Sequence, residues 1–196
     1  MSWIPEENYV FMPWKNGKGF TRQIAIHPHH SQFPKDPFLW RLSLAEMSED
    51  GDFSAFPGYE RLLVIWEGEG LILNGKRVTR LETIHLPGEP ASTAQLIRGP
   101  IRDLGLIFNP KEIDAELQIF TGSRKKEKHI EANSDTSLII LLRGQMEING
   151  QIFNHPGTWV GKKHSSFTLG YEGRTVVVFL KITHRQIRSL SRNTYL

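Results

Sequence analysis

Cysteine is absent from this 196-residue chain, which excludes disulfides, thiolate metal sites and a cysteine nucleophile. Long apolar runs are missing too. No stretch approaches the roughly 18 to 20 consecutive apolar residues that a membrane-crossing helix needs. Glu6, Glu7 and Asn8 stand where a signal peptide would carry its apolar core, so the cytosol is the default compartment. Neither sign of charge dominates: 24 Lys and Arg face 21 Asp and Glu, a net charge of +3. With 39% hydrophobic and 23% charged residues the proportions are globular, excluding a disordered polymer, a collagen-like fibre and a coiled coil. The length suits one large domain or two small ones.

The small excess of positive charge is local. Lys181, Arg185, Arg188 and Arg192 lie in a final stretch without acids, and Arg124, Lys125, Lys126 and Lys128 form a second run diluted by Glu127. Neither run shows a recognition helix or regular aromatic interleaving. They read as a solvated tail and loop, and nucleic acid is not an expected partner.

Helical periodicity is scarce and strand signals recur. Phe38, Trp40, Leu42 and Leu44 alternate with Arg41 and Ser43, which predicts a strand with one apolar and one polar face. Leu62 to Trp66 is apolar on both faces, as a doubly covered strand would be. One arrangement occurs twice. Leu62–Trp66, Gly68, Leu71–Leu73, Asn74-Gly75 and Pro87-Gly88 are echoed by Leu138–Leu142, Gly144, Met146–Ile148, Asn149-Gly150 and Pro156-Gly157. Asn-Gly is a strong hairpin signal because a type I′ turn needs two positive φ angles. The repeated rhythm predicts an all-β chain built as two cupin-type jelly-roll barrels, a bicupin. The halves are expected at 1–110 and 111–196, with Gly99 to Phe120 connecting them and strands exchanged between them.

Barrels of this kind commonly hold a metal on a His-x-His pair with a Glu and a later His. The stretches before Leu62 and Leu138 contain no histidine, and His164 alone makes no site. His27, His29 and His30 are interrupted by Pro28 and followed by Pro34 and Pro37, which predicts an irregular surface loop. No metal and no cofactor are expected. Asn16-Gly17-Lys18-Gly19 lacks the spacing of a phosphate loop, and there is no Gly-x-Ser-x-Gly elbow.

What remains is polar groups at positions where a β barrel is normally apolar. Lys15, Asn16 and Thr21 lie in or beside a glycine-rich loop; Arg41 and Ser43 share a strand face. Glu60 and Arg61 follow a Pro-Gly turn, and Arg102 and Asp103 follow Gly99-Pro100. Arginine, lysine, amide and hydroxyl donors suit a carboxylate or phosphate guest, because guanidinium grips planar anions with two prongs. An internal salt bridge of Arg41 with Glu60 or Asp103 is the structural alternative.

These segments also carry a resemblance. Trp14-Lys15-Asn16-Gly17-x-Gly19-x-Thr21-Arg22-x-Ile24, Phe38-x-Trp40-Arg41-x-Ser43-x-Ala45, Gly51-x-Phe53-Ser54-x-Phe56-Pro57-Gly58-Tyr59-Glu60-Arg61 and Gly99-Pro100-Ile101-Arg102-Asp103-Leu104 resemble the HutD/Ves family. The resemblance implies a bacterial, cytoplasmic bicupin without the usual metal ligands. HutD members are associated with histidine utilisation and proposed to bind a small carboxylate; Ves members are associated with stress and cold. It implies that Lys15, Asn16, Thr21, Arg41, Glu60 and Arg61 line a pocket, with Arg102 and Asp103 close by. Two positions depart from the family pattern: Lys18 interrupts a glycine run, and Gly105 stands where Asn is common.

The expected function is thus non-catalytic binding of a small anionic metabolite with a regulatory role. Two other readings stay open: a metal-independent isomerase or lyase with Glu60 or Asp103 as base, and a structural or partner-binding module. No membrane partner is expected, and a homodimer is left open.

Overall fold

Alternation along one strand sets the layering. β4 (Trp40–Met47) turns Trp40, Leu42 and Leu44 to one side and Arg41, Ser43 and Met47 to the other. Its antiparallel neighbours are β3 (Gly19–His27) and β11 (Ile101–Phe108). With β2 (Val10–Pro13), β6 (Glu60–Glu67) and β9 (Thr83–Pro87) they form a six-stranded sheet in the order β2-β3-β4-β11-β6-β9. The computed structural model describes residues 2–14, 19–122 and 124–185. Lys15 and Asn16, and the basic residues Arg188 and Arg192, lie outside them.

The Arg41 face is covered by a four-stranded sheet, β5-β10-β7-β8, formed by β5 (Gly51–Phe53), β10 (Ser92–Leu96), β7 (Leu71–Leu73) and β8 (Lys76–Val78). Met47, Ile65 and Ile101 pack there on Leu71, Leu73, Val78 and Ala94. The opposite face meets the second half of the chain. There β1 (Ser2–Pro5), β16 (Gly157–Val160), β14 (Thr136–Ile148), β17 (Ser165–His184) and β12 (Ile113–Gly122) follow in that order. β13 (Lys126–Ala132) pairs with β17, and β15 (Gln151–Phe153) with β14. The chain's first strand crosses over: Trp3 pairs with Trp159, so residues 2–5 extend the second half's sheet.

Two groups of four strands repeat between the halves. β4-β11-β6-β9 has its counterpart in β12-β17-β14-β16, and β5-β10-β7-β8 in β13-β17-β14-β15. They differ at the corner. In the first half Gly68 (φ 93) and Gly70 (φ 115) break the strand, whereas β14 runs through with register shifts around Arg143. Both Asn-Gly hairpins have paired positive φ values, 49 and 79 at Asn74-Gly75 and 49 and 83 at Asn149-Gly150. The fold is all-β, with two cupin-type jelly-roll halves, as the doubled rhythm predicts.

Three apolar layers result. Leu42, Val64, Leu104 and Leu106 meet Leu138, Ile140, Val178 and Leu180 between the halves. Leu104 and Leu106 are 0% exposed, and each such burial stabilises the fold by about 2 kcal/mol. The second half's interior is filled with hydrocarbon and rings, among them Phe120, Phe153, Trp159, Phe167 and Phe179. The first half's interior is apolar in part, around Met47, Ile65, Leu71 and Ile101, but it also buries Arg41, Arg61 and Asp103.

Candidate functional site

Three adjacent strands of the six-stranded sheet present their inward side chains in rows. Arg41, Ile107 and Arg61 form one row, Ser43, Gly105 and Leu63 the next, and Ala45, Asp103 and Ile65 the third. Two cations therefore stand on one side, and an acid on the other, of a middle row made of Ser43, Gly105 and Leu63. The corresponding rows in the second half read Gln118, Phe179 and Ile139, then Phe120, Val177 and Leu141. Where the second half inserts Phe179 and Val177, the first has Gly105 and Asp103. A Cβ on Gly105 would lie 3.6 Å from Leu63 Cδ1 and 3.8 Å from Asp103 Oδ1, an ordinary contact on each side.

Both guanidinium groups are buried. Arg41 is 5% exposed; its Nε donates to Gln23 Oε1 at 2.7 Å and its Nη2 approaches Met12 Sδ at 3.5 Å. Its Cζ lies 3.9 Å from the centre of the Phe33 ring. Arg61 is 8% exposed, donates from Nη2 to the Ser54 carbonyl at 3.2 Å, and lies 5.0 Å from Phe53 and 5.7 Å from Phe56. Among the described residues neither forms an ion pair. Burial, with repulsion from Arg61, pushes the Arg41 guanidinium down to about 10. Burial also lowers Arg61, partly offset by attraction to Asp103. Cation–ring contacts of this kind contribute on the order of 1 to 2 kcal/mol each, but a ring cannot accept the remaining N–H groups as an anion can.

Asp103 is the third member. It is 3% exposed, and its Oδ2 is buried without a hydrogen-bond partner among the described residues. Burial raises its carboxyl to about 7, and the nearby Arg61 charge only moderates the rise. The cluster thus holds two cations and one acid poised near neutrality, an environment short of negative charge.

An aromatic collar rims the arginines. Phe38 packs on Tyr59 with ring centres 4.7 Å apart, and Phe33 lies 6.0 Å from Phe38 and 5.9 Å from Phe56. Tyr59 Oη donates to the Phe38 carbonyl at 2.8 Å, tying the two loops together. Gly88 clamps the collar to β9: its carbonyl accepts from Phe56 N at 2.6 Å and its N–H donates to Tyr59 O at 2.7 Å. A Cβ there would fall 2.2 Å from Phe56 O and 2.5 Å from Tyr59 O. Gly88→Ala is therefore expected to pry the collar loose and lower the melting temperature by on the order of 5 to 10 °C. Differential scanning calorimetry checks this, and unchanged melting contradicts the clamp.

The structure brings together Arg41, Ser43, Arg61 and Asp103. Thr21 stands in the Asp103 row beside Ala45, with its Oγ1 accepting from Trp14 Nε1 at 2.8 Å. Two expected neighbours face away. Glu60 lies on the other side of β6, where its Oε2 sits 2.6 Å from His85 Nε2. Arg102 lies on the other side of β11, half-exposed between Glu46 (2.8 Å) and Glu67 (3.3 Å). The reason is the pleat: residues adjacent in a strand point to opposite faces, so Glu60-Arg61 and Arg102-Asp103 could each deliver only one group inward. The alternative of a salt bridge between Arg41 and Glu60 or Asp103 is not realised among the described residues; Arg41 instead contacts Gln23, Met12 and Phe33.

The histidine segment matches the expected exposed loop at His29 and His30 and departs from it at His27. His27 ends β3 and stacks on Trp40, with His184 5.7 Å away, ring centre to ring centre. Burial, and the neighbouring His184, His29 and His30, lower its pKa. Sequence reasoning missed Gln23 and Phe33. Gln23 lies two residues beyond Thr21, so strand alternation could have found it; Phe33 comes from the proline-rich loop and has no period to announce it.

Residues 6–178 match the model of the HutD family. An uncharacterised 21.2 kDa protein from the hutC 3′ region of Pseudomonas putida is 34% identical over 148 residues, covering 73% of this chain and 74% of that one. Protein Ves of Citrobacter koseri is 25% identical over 178 residues, 87% of each chain. HutD from Pseudomonas fluorescens, solved in a formate condition, superposes with a TM-score of 0.76 at 28% identity, covering 94% of this chain and 99% of that one. With a family match across both jelly-roll halves and relatives of these two names along most of its length, the chain belongs to the HutD/Ves family.

Proposed function

We propose that this chain is a non-catalytic binder of a small carboxylate metabolite, held in the first jelly-roll half between Arg41 and Arg61, and that occupancy serves a regulatory role. The observation that carries the reading is the pair of buried guanidinium groups without an ion-pair partner among the described residues. Burying a charge is unfavourable unless a counter-charge and hydrogen bonds compensate it. A carboxylate between the two arginines supplies both, and charge-assisted bonds of this type are the strong ones. The relative from the hutC 3′ region supports a setting in histidine utilisation, and the HutD structure in a formate condition supports the ligand class. A stress-response setting is the other one the family offers. Among the described residues no helix is long and apolar enough to cross a membrane, and we place the protein in the cytoplasm.

Isothermal titration with formate, formylglutamate and urocanate tests the proposal. Arg41→Met is expected to weaken binding by about tenfold to a hundredfold, the contribution of a charged hydrogen-bonding group, while leaving the melting temperature near that of the wild type. No binding at millimolar ligand overturns the reading. Asp103, buried and near neutrality, supports one second reading, an isomerase or lyase with that carboxylate as base; Glu60 faces away from it. Turnover of a candidate acid that Asp103→Asn abolishes would establish that alternative.

A further inference from the structure

The two arginines leave one polar group in the site unexplained. Asp103 Oδ2 is buried without a hydrogen-bond partner among the described residues, its Oδ1 lies nearest Gly105, and the row of Ser43, Gly105 and Leu63 stands between it and the row that holds both arginines. Gly105 carries no side chain over it, and the counterpart of that position in the second half is Phe179. An acid in that place is costly to bury and forms no ion pair among the described residues. Its position makes sense in relation to an anion bound at the two guanidinium groups.

An ionised Asp103 would repel an incoming carboxylate and compete with it for Arg61. A protonated Asp103 does the opposite: its O–H is a donor aimed at the same anion that the guanidinium groups grip. Resting on the carboxylate site proposed above, we infer that Asp103 is the third anchoring group of that site, holding the anion through its own proton, so that wherever the free protein carries Asp103 ionised each bound anion draws one proton from solution onto that carboxyl. No covalent bond changes; the proton passes from water to the Asp103 carboxyl oxygen and is shared with the ligand oxygen.

The surroundings favour this. β4 presents Arg41, Ser43 and Ala45 to the site, β6 presents Arg61, Leu63 and Ile65, and β3 presents Thr21 and Gln23. The covering sheet contributes Leu71, Leu73, Val78 and Ala94, none of which titrates. Arg61 is thus the charge that acts on Asp103, with Arg41 next to Arg61. Burial already brings the Asp103 carboxyl to about 7, and a second negative charge beside it raises it further.

The sign of the linkage follows. Below about pH 6.5 Asp103 is already protonated, so binding takes up almost no proton and affinity is flat. Above about pH 7.5 the proton must be supplied on binding, so affinity falls about tenfold per pH unit. The test is a pH-stat titration of unbuffered protein with formate, counting acid added per formate bound at pH 8 and at pH 6, alongside calorimetric Kd values. The expected result is close to one proton per formate at pH 8, a small fraction at pH 6, and a Kd that weakens accordingly. Asp103→Asn is expected to bind formate with no proton uptake and no dependence of Kd on pH between 6 and 8. Wild-type binding at pH 8 without proton uptake overturns the inference, as does an Asp103→Asn protein that still takes up the proton. Should that variant fold poorly, the wild-type proton count alone decides. Absence of formate binding by the wild type at pH 6 is a different failure, that of the carboxylate site itself.

Discussion

At pH 8 the Asp103→Asn protein is expected to melt about 5 to 10 °C above the wild type, with the gap closing as the pH falls toward 4. In the folded chain burial holds the Asp103 carboxyl at about 7, against an ordinary value of 3.8. Between those two values the folded state keeps a proton that the unfolded state has released. Stability therefore falls as pH rises from about 4 to 7 and is lowest, for this group, above 7. Three pH units correspond to about 4 kcal/mol at most, and relaxation around the carboxylate reduces that toward about 2. Asparagine keeps the shape without the charge, so it escapes the penalty. Melting curves across pH 4 to 8 measure this. Should Asp103→Asn melt below the wild type at pH 8, attraction to Arg61 outweighs burial and the acid is a structural counter-ion.

Gly105→Val is expected to abolish carboxylate binding, a loss of a hundredfold or more, while leaving the melting temperature unchanged or slightly higher. The Cβ itself fits, 3.6 Å from Leu63 Cδ1 and 3.8 Å from Asp103 Oδ1. The two methyl groups beyond it have only the middle of the site to occupy, between the arginine row and Asp103. Valine suits a strand better than glycine does, through reduced freedom of the unfolded chain and packing on the pleat. The second half, whose counterpart position is Phe179, fills the same place with a larger side chain. Undiminished binding by Gly105→Val would show that the ligand sits elsewhere.

The variants probe different links of one chain of reasoning. Arg41→Met removes attraction, Asp103→Asn removes a charge that opposes folding, and Gly105→Val removes space. A merely structural polar cluster predicts loss of stability for the first two; a binding site built at the expense of stability predicts that stability holds or improves while affinity changes.

Much of the fold was legible because it rests on short-range signals. Two Asn-Gly hairpins, two Pro-Gly turns and the alternation at 38–44 depend on local backbone geometry, and they located the repeat. The pairing of β1 with β16 was not legible: Ser2–Pro5 is four residues long and its partner is more than 150 residues away, so no local pattern encodes it. Within the site, Arg41 and Ser43 could be read from alternation. Each adjacent pair, Glu60-Arg61 and Arg102-Asp103, was read as two inward groups, although the pleat permits only one. Phe33 reaches Arg41 from a loop whose path only the tertiary structure determines.

The anion site proposed for the first half is framed by Arg41, Arg61 and Asp103. A crystal structure of this chain grown with excess formate at pH 6 tests it most directly. The account predicts a carboxylate bonded to both guanidinium groups, with one oxygen within hydrogen-bond distance of Asp103. Formate bound only at exposed cations such as Arg102, with the space beside Gly105 filled by protein side chains, would contradict it.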